Sequence, residues 1–175
     1  MIKEEVILTK KECQSILDLN HEYKRSSVHT TGSERALSKS RTSYESIIKS
    51  ETITDLLLPK LSKYNIISLP EYCNVSRYTE GQWFEKHTDA GYANVHKRRF
   101  KTLIVQLSDP DDYEGGELII WDQNDTKTVS DKTVGNMILF ESKLLHQANK
   151  IKSGVRYSLV FFLKSDNFKI NKPLI

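Results

Sequence analysis

Three residues of this sequence have the types and the spacing of a metal-binding site. His87 and Asp89 stand two positions apart in the string HTDA, and His146 follows in LLHQAN. Two imidazoles and one carboxylate can hold Fe(II) on one side and leave the opposite positions open for O2 and a chelating cosubstrate. Side chains at i and i+2 of an extended segment point to the same face, so His87 and Asp89 can share one ion. His146 must then arrive on another strand that folds back beside them.

A fourth residue, Arg156, lies ten positions after His146 in the string VRYSLVFFL. A guanidinium binds a carboxylate through two parallel hydrogen bonds, so Arg156 is suited to the distal carboxylate of 2-oxoglutarate. Ser158 is again two positions further on, and its hydroxyl would project beside that guanidinium. Together these residues predict a non-haem iron oxygenase that uses Fe(II), 2-oxoglutarate and O2.

Each of these residues also has an ordinary structural interpretation. An isolated His-x-Asp pair often arises by chance, a lone histidine is often structural, and a lone strand arginine usually faces solvent. Structural zinc fits less well, because Cys13 and Cys73 are far apart and neither has a CxxC partner. A zinc hydrolase with two His and one Asp would leave Arg156 unexplained, and the sequence has no HExxH string. The remaining histidines lack a paired context: His21, His29 and His96.

The composition is typical of a folded protein of one domain, expected to span residues 1–175. The chain has 38% hydrophobic and 28% charged residues, which is the balance of a globular protein rather than a disordered one. The sequence begins without an apolar run of signal-peptide length, no stretch approaches a membrane span, and two lone cysteines form no disulfide framework. We therefore expect a cytoplasmic protein. A net charge of +3 is too small to indicate nucleic-acid binding by itself.

Two helical patterns precede a series of short strands. The first covers residues 9–24 and begins with a capping-box pattern of Thr9 and Glu12, and the second covers residues 50–65. A strand is predicted between them at 41–48. The later β-rich runs, separated by turn signals, are CNVSRY, TLIVQL, ELIIWD, MILF and SLVFFL.

This order of elements predicts a mostly β fold with flanking helices, of the α+β class. Many short strands after two helices indicate a double-stranded β-helix, the jelly-roll or cupin-like architecture, with the N-terminal helices packed on it. In this interpretation residues 1–64 supply the helical support and the first strand. Residues 65–165 form the jelly-roll core that carries the iron site, and the mouth of the barrel is the expected ligand pocket.

Two polar segments could contact a substrate. The segment Ser26–Ser40 is too long for an ordinary turn, so it is either disordered or a functional loop that closes over the site. The basic run HKRRFK, His96–Lys101, follows the first metal motif and could attract an acidic protein or a nucleic acid. A solvated basic turn is the plainer interpretation of that run.

The strings that surround these residues resemble the iron- and 2-oxoglutarate-dependent dioxygenases, in particular the prolyl 4-hydroxylase type. The resemblance covers about residues 41 to 165. It rests on the strings RTSYESII, LPEYCNVSRYTEGQWFEKHTDA, FKTLIVQLSDPDDYEGGELII and VGNMILFESKLLHQANKIKSGVRYSLVFFL. The string SDPDDYEGGEL is also similar to the small bacterial PKHD-type hydroxylases of the same superfamily.

The resemblance implies roles for individual residues. It makes His87, Asp89 and His146 the iron ligands and Arg156 the anchor of 2-oxoglutarate, with L-ascorbate as a candidate reductant. It further implies two residues that support the cosubstrate or the ligands, Tyr78 and Thr102. One position departs from the family pattern, because Phe84 stands three residues before His87 where prolyl hydroxylases often have Tyr.

The activity implied is hydroxylation of a C–H bond, with a prolyl or other residue of a protein as the first substrate class and succinate and CO2 as co-products. The same chemistry on a free amino acid or other small metabolite is the alternative. Action on nucleic acid is less favoured, because Phe162 stands where nucleic-acid demethylases of the superfamily would repeat an arginine. A binding module that kept the fold without catalysis is a further alternative.

Overall fold

The computed structural model describes residues 2–29, 35–91 and 98–169. Within them the chain forms two helices, α1 (Lys10–Leu17) and α2 (Glu51–Leu61). It forms fourteen strands: β1 (Lys3–Val6), β2 (Lys24–Arg25), β3 (Val28–His29), β4 (Arg35–Ala36), β5 (Tyr44–Lys49), β6 (Tyr72–Thr79), β7 (Phe84–His87), β8 (Lys101–Gln106), β9 (Tyr113–Gly115), β10 (Leu118–Trp121), β11 (Lys127–Val129), β12 (Asn136–Glu141), β13 (Leu145–Ala148) and β14 (Ile151–Leu163). Short 3-10 turns lie at Ser62–Tyr64, Pro110–Asp112 and Ser165–Asn167.

The strands form two antiparallel sheets, which confirms the predicted jelly-roll core. The larger sheet has the order β1-β12-β8-β14-β6-β5-β2, and the smaller has the order β11-β10-β13-β7. The short strand β9 pairs with the beginning of β14, and β3 and β4 pair only with each other. Consecutive strands of the chain therefore alternate between the sheets in several places, as a double-stranded β-helix requires.

The alternation of side chains along the larger sheet separates two apolar layers. On β8, Leu103 and Val105 pack outward against α2 residues such as Leu57, so both helices lie on the outer face of this sheet. Ile104, between them in sequence, points inward and packs with Leu118 and Phe140 between the two sheets. Burying each such side chain contributes roughly 1.5–3 kcal/mol, so the outer layer holds the sheet rigidly while its inner face carries the polar residues of a cavity.

The first helix is shorter than the sequence pattern predicted. Its capping box is present, since the amide of Glu12 donates to the Thr9 hydroxyl and the amide of Thr9 donates to the Glu12 carboxylate. The helix ends at Leu17, and the chain turns at Asp18 instead of continuing to residue 24. Polar side chains such as Asp18 compete for backbone hydrogen bonds and are poor helix formers, which the apolar periodicity did not take into account.

The second helix and the first predicted strand lie close to their expected places. Pro59 lies inside the last turn of α2, and the chain continues as the 3-10 turn until Asn65, whose φ of +62° ends it. The strand predicted at 41–48 is β5, which begins three residues later. Within the described residues, neither helix has the length and apolarity needed to cross a membrane.

The structure describes two parts of the polar segment Ser26–Ser40, residues 26–29 and 35–40. Its described residues form the hairpin of β3 and β4, and the Ser26 hydroxyl is buried and accepts a hydrogen bond from Ser43. Residues 30–34 lie outside the described residues, and so do His96 and Lys97 of the basic run. The stems of the hairpin therefore belong to the fold, and the prediction that the segment closes over a bound substrate stays a prediction.

Candidate active site

The three predicted ligands meet inside the barrel, between β7 and β13 of the smaller sheet. His87 ends β7 and lies directly opposite His146 of β13 in the strand register. Asp89, two residues after His87, brings its carboxylate to both imidazoles: Oδ1 lies 3.7 Å from Nε2 of His87 and Oδ2 lies 3.3 Å from Nε2 of His146. All three potential ligand atoms lie within 4.8 Å of one another. In the part of the chain that the structure describes, no other group of three His, Cys, Asp or Glu residues is arranged in this way.

Backbone hydrogen bonds fix which imidazole nitrogen faces the metal position. Nδ1 of His87 lies 2.6 Å from the carbonyl oxygen of Glu85, and Nδ1 of His146 lies 3.1 Å from that of Leu144. A carbonyl oxygen can only accept, so Nδ1 carries a proton in both rings, and Nε2 is the nitrogen that can bind a metal once it is unprotonated. This is the orientation that metal-binding histidines take, with the second nitrogen donating to a carbonyl.

The carboxylate of Asp89 is held from the opposite side by a strand of the larger sheet. The Thr102 hydroxyl donates to Oδ2 of Asp89 at 2.7 Å and lies 3.0 Å from the Ser142 hydroxyl. The backbone amides of Asp89 and Ala90 both donate to the carbonyl oxygen of Ser142 at 2.9 Å. These bonds fix the position of the carboxylate before any metal is bound.

The three groups perturb one another's protonation. Burial and the neighbouring His146 lower the pKa of His87 to about 3, so this ring is neutral near pH 7. Burial alone would raise the pKa of Asp89, but His146 and the Thr102 hydrogen bond outweigh burial, and the pKa is lowered. Burial would lower the pKa of His146, yet the Asp89 carboxylate outweighs it and raises that pKa above the usual 6.5. A carboxylate, one neutral imidazole and one imidazole whose proton a metal would displace form a donor set that fits Fe(II).

Rings on either side hold the two imidazoles in place. The Phe84 ring stacks on His87 with 3.5 Å between centroids, and the Phe140 ring meets His146 edge-on at 4.9 Å. The position that departs from the prolyl hydroxylase pattern, Phe84, is thus occupied by a ring that supports a ligand. Because phenylalanine lacks the hydroxyl of tyrosine, the site is apolar at Phe84.

The triad opens into a cavity of about 600 Å³ that lies between the two sheets. Arg156 lines one end and is 5% exposed. Its Nε donates to Oε1 of Gln106 at 3.1 Å, and its guanidinium carbon lies 5.8 Å from the ring centre of Tyr78. Among the described residues no carboxylate forms an ion pair with Arg156, so this buried cation is suited to an anionic ligand.

A second group of polar side chains lines the cavity, from Arg41, from Glu45 of β5 and from Asn74 of β6. Arg41 forms an ion pair of 3.1 Å with Glu45, and the Asn74 amide donates to the same carboxylate oxygen at 3.2 Å. Beyond the triad, Arg99 lines the cavity with its guanidinium on the face of the Phe162 ring. The predicted metal site is therefore flanked by polar side chains on more than one wall.

Most of the predicted site residues meet in this cavity. His87, Asp89, His146 and Arg156 line it, as do Tyr78 and Ser158. Thr102, predicted as a cosubstrate or supporting residue, lies away from the cavity wall. Its hydroxyl contacts Asp89, which gives it the supporting position and not the cosubstrate one.

Sequence reasoning missed several residues of the site. Gln106 contacts Arg156, and four others line the cavity: Arg41, Glu45, Asn74 and Arg99. Strand alternation could have found Gln106 and Asn74, because each lies an even number of positions from a predicted site residue of its strand, Thr102 and Tyr78 respectively. The sequence indicated Arg99 only through its place in the basic run His96–Lys101.

Comparison with known families agrees with this site. The family model described as the 2OG-Fe(II) oxygenase superfamily matches residues 73–164, more than half of the chain. The chain therefore belongs to the 2OG-Fe(II) oxygenase superfamily, and the predicted family resemblance is confirmed. Fe(II) and 2-oxoglutarate are the metal and cosubstrate that this membership implies.

The curated relatives are PKHD-type hydroxylases. The chain is 34% identical over 93 residues to the PKHD-type hydroxylase PiuC of Pseudomonas aeruginosa, which covers 50% of this chain and 41% of the relative. It is 36% identical over 107 residues to a PKHD-type hydroxylase of Cupriavidus metallidurans, covering 58% of this chain and 45% of the relative. The chain thus spans less than half the length of these relatives.

Solved structures share the fold at low sequence identity. A Pseudomonas putida prolyl-4-hydroxylase superposes with a TM-score of 0.68 at 15% identity, covering 93% of this chain and 92% of that one. A Trichoplax adhaerens prolyl hydroxylase, solved with a peptide of the hypoxia inducible factor oxygen degradation domain, gives 0.69 at 13% identity over 95% and 84% of the two chains. These likenesses support the jelly-roll architecture.

Proposed function

We propose that this protein is an Fe(II)- and 2-oxoglutarate-dependent dioxygenase that hydroxylates a C–H bond of a prolyl or other residue in a protein. The observation that carries the proposal is the shared cavity of the His87–Asp89–His146 triad and the buried Arg156. The triad could hold the metal, and Arg156 could hold the distal carboxylate of the cosubstrate. Family membership and the named activity of the PKHD-type relatives support the same proposal.

The residues of the chain provide binding and orientation. Bound Fe(II), with 2-oxoglutarate and O2, supplies the oxidation of a C–H bond, and the cosubstrate leaves as succinate and CO2. The Nε2 atoms of His87 and His146 and the carboxylate of Asp89 would hold the ion. Arg156 would bind the distal carboxylate of 2-oxoglutarate in a fork, and the buried Ser158 hydroxyl lies on the same face of β14.

The inner walls near Arg156 favour exclusion of water. Besides the triad and Arg156, the cavity is lined by three apolar side chains: Ile104, Leu118 and Val160. A dry wall strengthens the ion pair between Arg156 and a carboxylate and protects an oxidising centre from side reactions. The cosubstrate is therefore expected to bind in one orientation.

A protein substrate is the first candidate, and a small molecule is the second. A Trichoplax adhaerens prolyl hydroxylase of the same fold was solved in complex with a peptide fragment, and the relatives are PKHD-type hydroxylases. The observation that favours a free amino acid or other metabolite is the volume of the cavity, about 600 Å³, which is in the range of small-molecule sites. Both candidates use the same metal and cosubstrate.

The test is metal-dependent binding and turnover of 2-oxoglutarate. Purified protein is supplied with Fe(II), ascorbate and air for succinate formation, and with Mn(II) under nitrogen for calorimetric binding of 2-oxoglutarate. We expect His87→Ala and Asp89→Ala to abolish both signals. Arg156→Ala should weaken binding on the order of 30-fold or more, because losing one partner of a buried charge pair costs about 2–5 kcal/mol.

Arg98→Ala serves as the matched control, because it removes one arginine from an exposed position. Its binding of 2-oxoglutarate should equal that of the wild type. Wild-type protein that binds no 2-oxoglutarate in the presence of metal would overturn the proposal and leave a binding module with the fold. Full succinate formation by Asp89→Ala would show that the ligand assignment is wrong.

A further inference from the structure

The inner face of the larger sheet becomes more exposed from one end of its strands to the other. Side chains of β14, β6 and β5 alternate between the outer apolar layer and the space between the two sheets. The strand register aligns the inner side chains in rows across these three strands. One row is almost completely buried, with exposures of 2%, 3% and 6%: Ser158, Ser76 and Glu45. This row is the closed end of the inner face.

The next row leads from the cavity to the solvent. Val160 is opposite Asn74, and Asn74 is opposite Ile47. Val160 and Asn74 line the cavity that contains the metal-binding triad. Ile47 is 53% exposed, whereas Ile48, which points to the outer face, is buried in the apolar layer beneath the helices. The floor of the cavity therefore continues onto a part of the sheet that is open to solvent.

Tyr72 enlarges this open part of the sheet. It precedes Asn74 by two positions on β6, so both side chains point to the inner face, and it is 49% exposed. Because Asn74 is opposite Ile47, Tyr72 and Ile47 are diagonal neighbours on the two strands, within reach of each other's side chains. Three side chains thus form one surface, named the β5–β6 face: Ile47, Tyr72 and Asn74. Single exposed apolar residues are common, but a group that borders a ligand cavity indicates a binding surface.

The cosubstrate would not occupy the β5–β6 face. Arg156 of β14 contacts Gln106 of β8, which lies on one side of β14 in the sheet, whereas β6 and β5 lie on the other side. The triad itself lies near β5, because Phe84 of β7 pairs with Arg41, three residues before that strand. 2-Oxoglutarate bound between the triad and Arg156 therefore leaves the β5–β6 face to the substrate.

The dimensions of the inner face fit an extended polypeptide. Ser158 and Phe162 are four positions apart on β14, which is about 13 Å at roughly 3.3 Å per residue. The two strand spacings from β14 to β5 add about 10 Å across the sheet. A free amino acid with its C–H bond at the metal would leave Ile47 and Tyr72 exposed, whereas a polypeptide that continues beyond the oxidised residue could bury both side chains.

We infer that the β5–β6 face binds the segment of a protein substrate that flanks the hydroxylated residue. The inference rests on the proposed function and narrows its substrate class to an extended polypeptide with an apolar side chain in this flank. The oxidised residue enters the cavity, and the chain leaves it across β6 and β5. The apolar side chain packs against Ile47 and Tyr72, and burial of their exposed surface stabilises the complex.

The test compares short and long peptides. Mixtures of random peptides with blocked ends, about three and about nine residues long, are supplied at equal residue concentration, and free amino acids form a third mixture. Stimulation of succinate formation is measured for each mixture after Mn(II)-dependent binding of 2-oxoglutarate has been verified. We expect the longer peptides to stimulate about tenfold more than either of the other mixtures, because only they reach the β5–β6 face while one residue occupies the cavity.

Matched variants then locate the effect. Ile47→Ser should lower the ratio between the responses to long and short peptides about fivefold, whereas Ile47→Val keeps a branched apolar side chain and should retain most of the ratio. Val129→Ser is the control, because Val129 is 50% exposed on β11 of the smaller sheet, and its ratio should equal that of the wild type. A general loss of activity lowers both responses equally, so the ratio separates docking of the flank from a structural loss.

Four outcomes would overturn the inference. The first is a wild type in which the longer peptides have no advantage, including one that responds to none of the mixtures. The second is an advantage that Ile47→Ser retains, and the third is an equal loss in Val129→Ser. The fourth is a dimer in sedimentation that Ile47→Ser dissociates, which would assign the β5–β6 face to a second copy of the chain. If the wild type binds no 2-oxoglutarate at all, the proposed function fails first and is identified by that separate measurement.

Discussion

The guanidinium of Arg156 is oriented by Gln106, whose Oε1 accepts a hydrogen bond of 3.1 Å from its Nε. Gln106 is itself fixed, because its Nε2 donates to the Tyr113 hydroxyl at 3.0 Å and to the Ser108 carbonyl oxygen at 3.3 Å. A neutral acceptor on Nε positions the guanidinium without cancelling its charge. The two Nη groups can then form the fork that a carboxylate needs.

Replacing Gln106 should therefore weaken binding of 2-oxoglutarate although Gln106 need not touch it. Gln106→Leu removes the acceptor and should raise the dissociation constant about tenfold or more, as expected for a lost hydrogen bond to a charged group. Gln106→Glu keeps an acceptor but places a carboxylate on Arg156, which should compete with the cosubstrate and weaken binding further. Calorimetry with Mn(II) measures both, and wild-type affinity in both variants would contradict the orienting function.

The Thr102 hydroxyl should matter for the metal and not for the cosubstrate. Thr102→Val keeps the shape of the side chain but removes the hydrogen bond to Asp89, so the carboxylate loses a fixed orientation. Loss of such a supporting contact typically lowers metal affinity about 10–100-fold. Thr79→Val is a matched control, since Thr79 is the last residue of β6 and pairs with Val155 away from Asp89. Competition for Mn(II) with a fluorescent chelator measures the difference, and equal affinities would contradict the prediction.

Metal binding should release one proton at pH values below the raised pKa of His146. The pKa of His146 is raised above its usual value by Asp89, whereas the pKa of His87 is lowered to about 3 and this ring has no proton to lose. Acidification should thus weaken Mn(II) binding by about tenfold per pH unit below the raised pKa of His146. Calorimetry in two buffers of different ionisation enthalpy counts the protons. Release of none, or of two, would contradict the assigned protonation states.

The raised pKa of His146 also makes the stability of the metal-free protein depend on pH. A raised pKa means that the folded state binds the His146 proton more tightly than the unfolded chain does. This contribution to stability is present below the unfolded pKa and is lost as pH rises through the folded pKa. When His146 loses this proton, its favourable interaction with the Asp89 carboxylate is lost, and a bound metal ion would replace it.

The sequence allowed the triad, Arg156 and the jelly roll to be predicted, because these depend on local alternation and on a series of β-rich runs. His87 and Asp89, and likewise Arg156 and Ser158, share a face by spacing alone. Contacts across strands could not be predicted, because they depend on register. Ser158 is opposite Gln106 and Phe162 is opposite Thr102 only in the alignment that β8 and β14 adopt.

Long-range contacts explain what the sequence concealed at Arg99 and Gln106. Arg99 stacks on Phe162, and Gln106 bonds Arg156, so each partner lies on β14, more than forty residues away. No pattern within either segment indicates such a pairing. The basic run was interpreted from charge alone, yet its Arg98 is exposed and its Arg99 lines the cavity, a difference that only the folded backbone determines.

Two glycines with nearly equal backbone angles should respond very differently to substitution. Gly81 and Gly135 have φ of +79° and +80°, so alanine is strained at both, by about 1–2 kcal/mol. A Cβ at Gly81 would meet no atom within 4 Å, but a Cβ at Gly135 would lie 1.8 Å from the carbonyl oxygen of Leu8. Gly135 also accepts from the amides of Ile7 and Leu8, which fixes the end of β1 against the sheet.

Gly135→Ala must therefore displace the chain after β1 or break these hydrogen bonds, whereas Gly81→Ala needs only the backbone strain. We expect Gly135→Ala to lose about 2 kcal/mol or more of unfolding free energy beyond the loss in Gly81→Ala, in the range of the larger single-residue effects. Urea denaturation with a chelator present measures both variants without a contribution from bound metal. Equal losses would mean that the chain after β1 yields to the added methyl group, and that its contact with Gly135 contributes little to the stability of the sheet that carries Arg156.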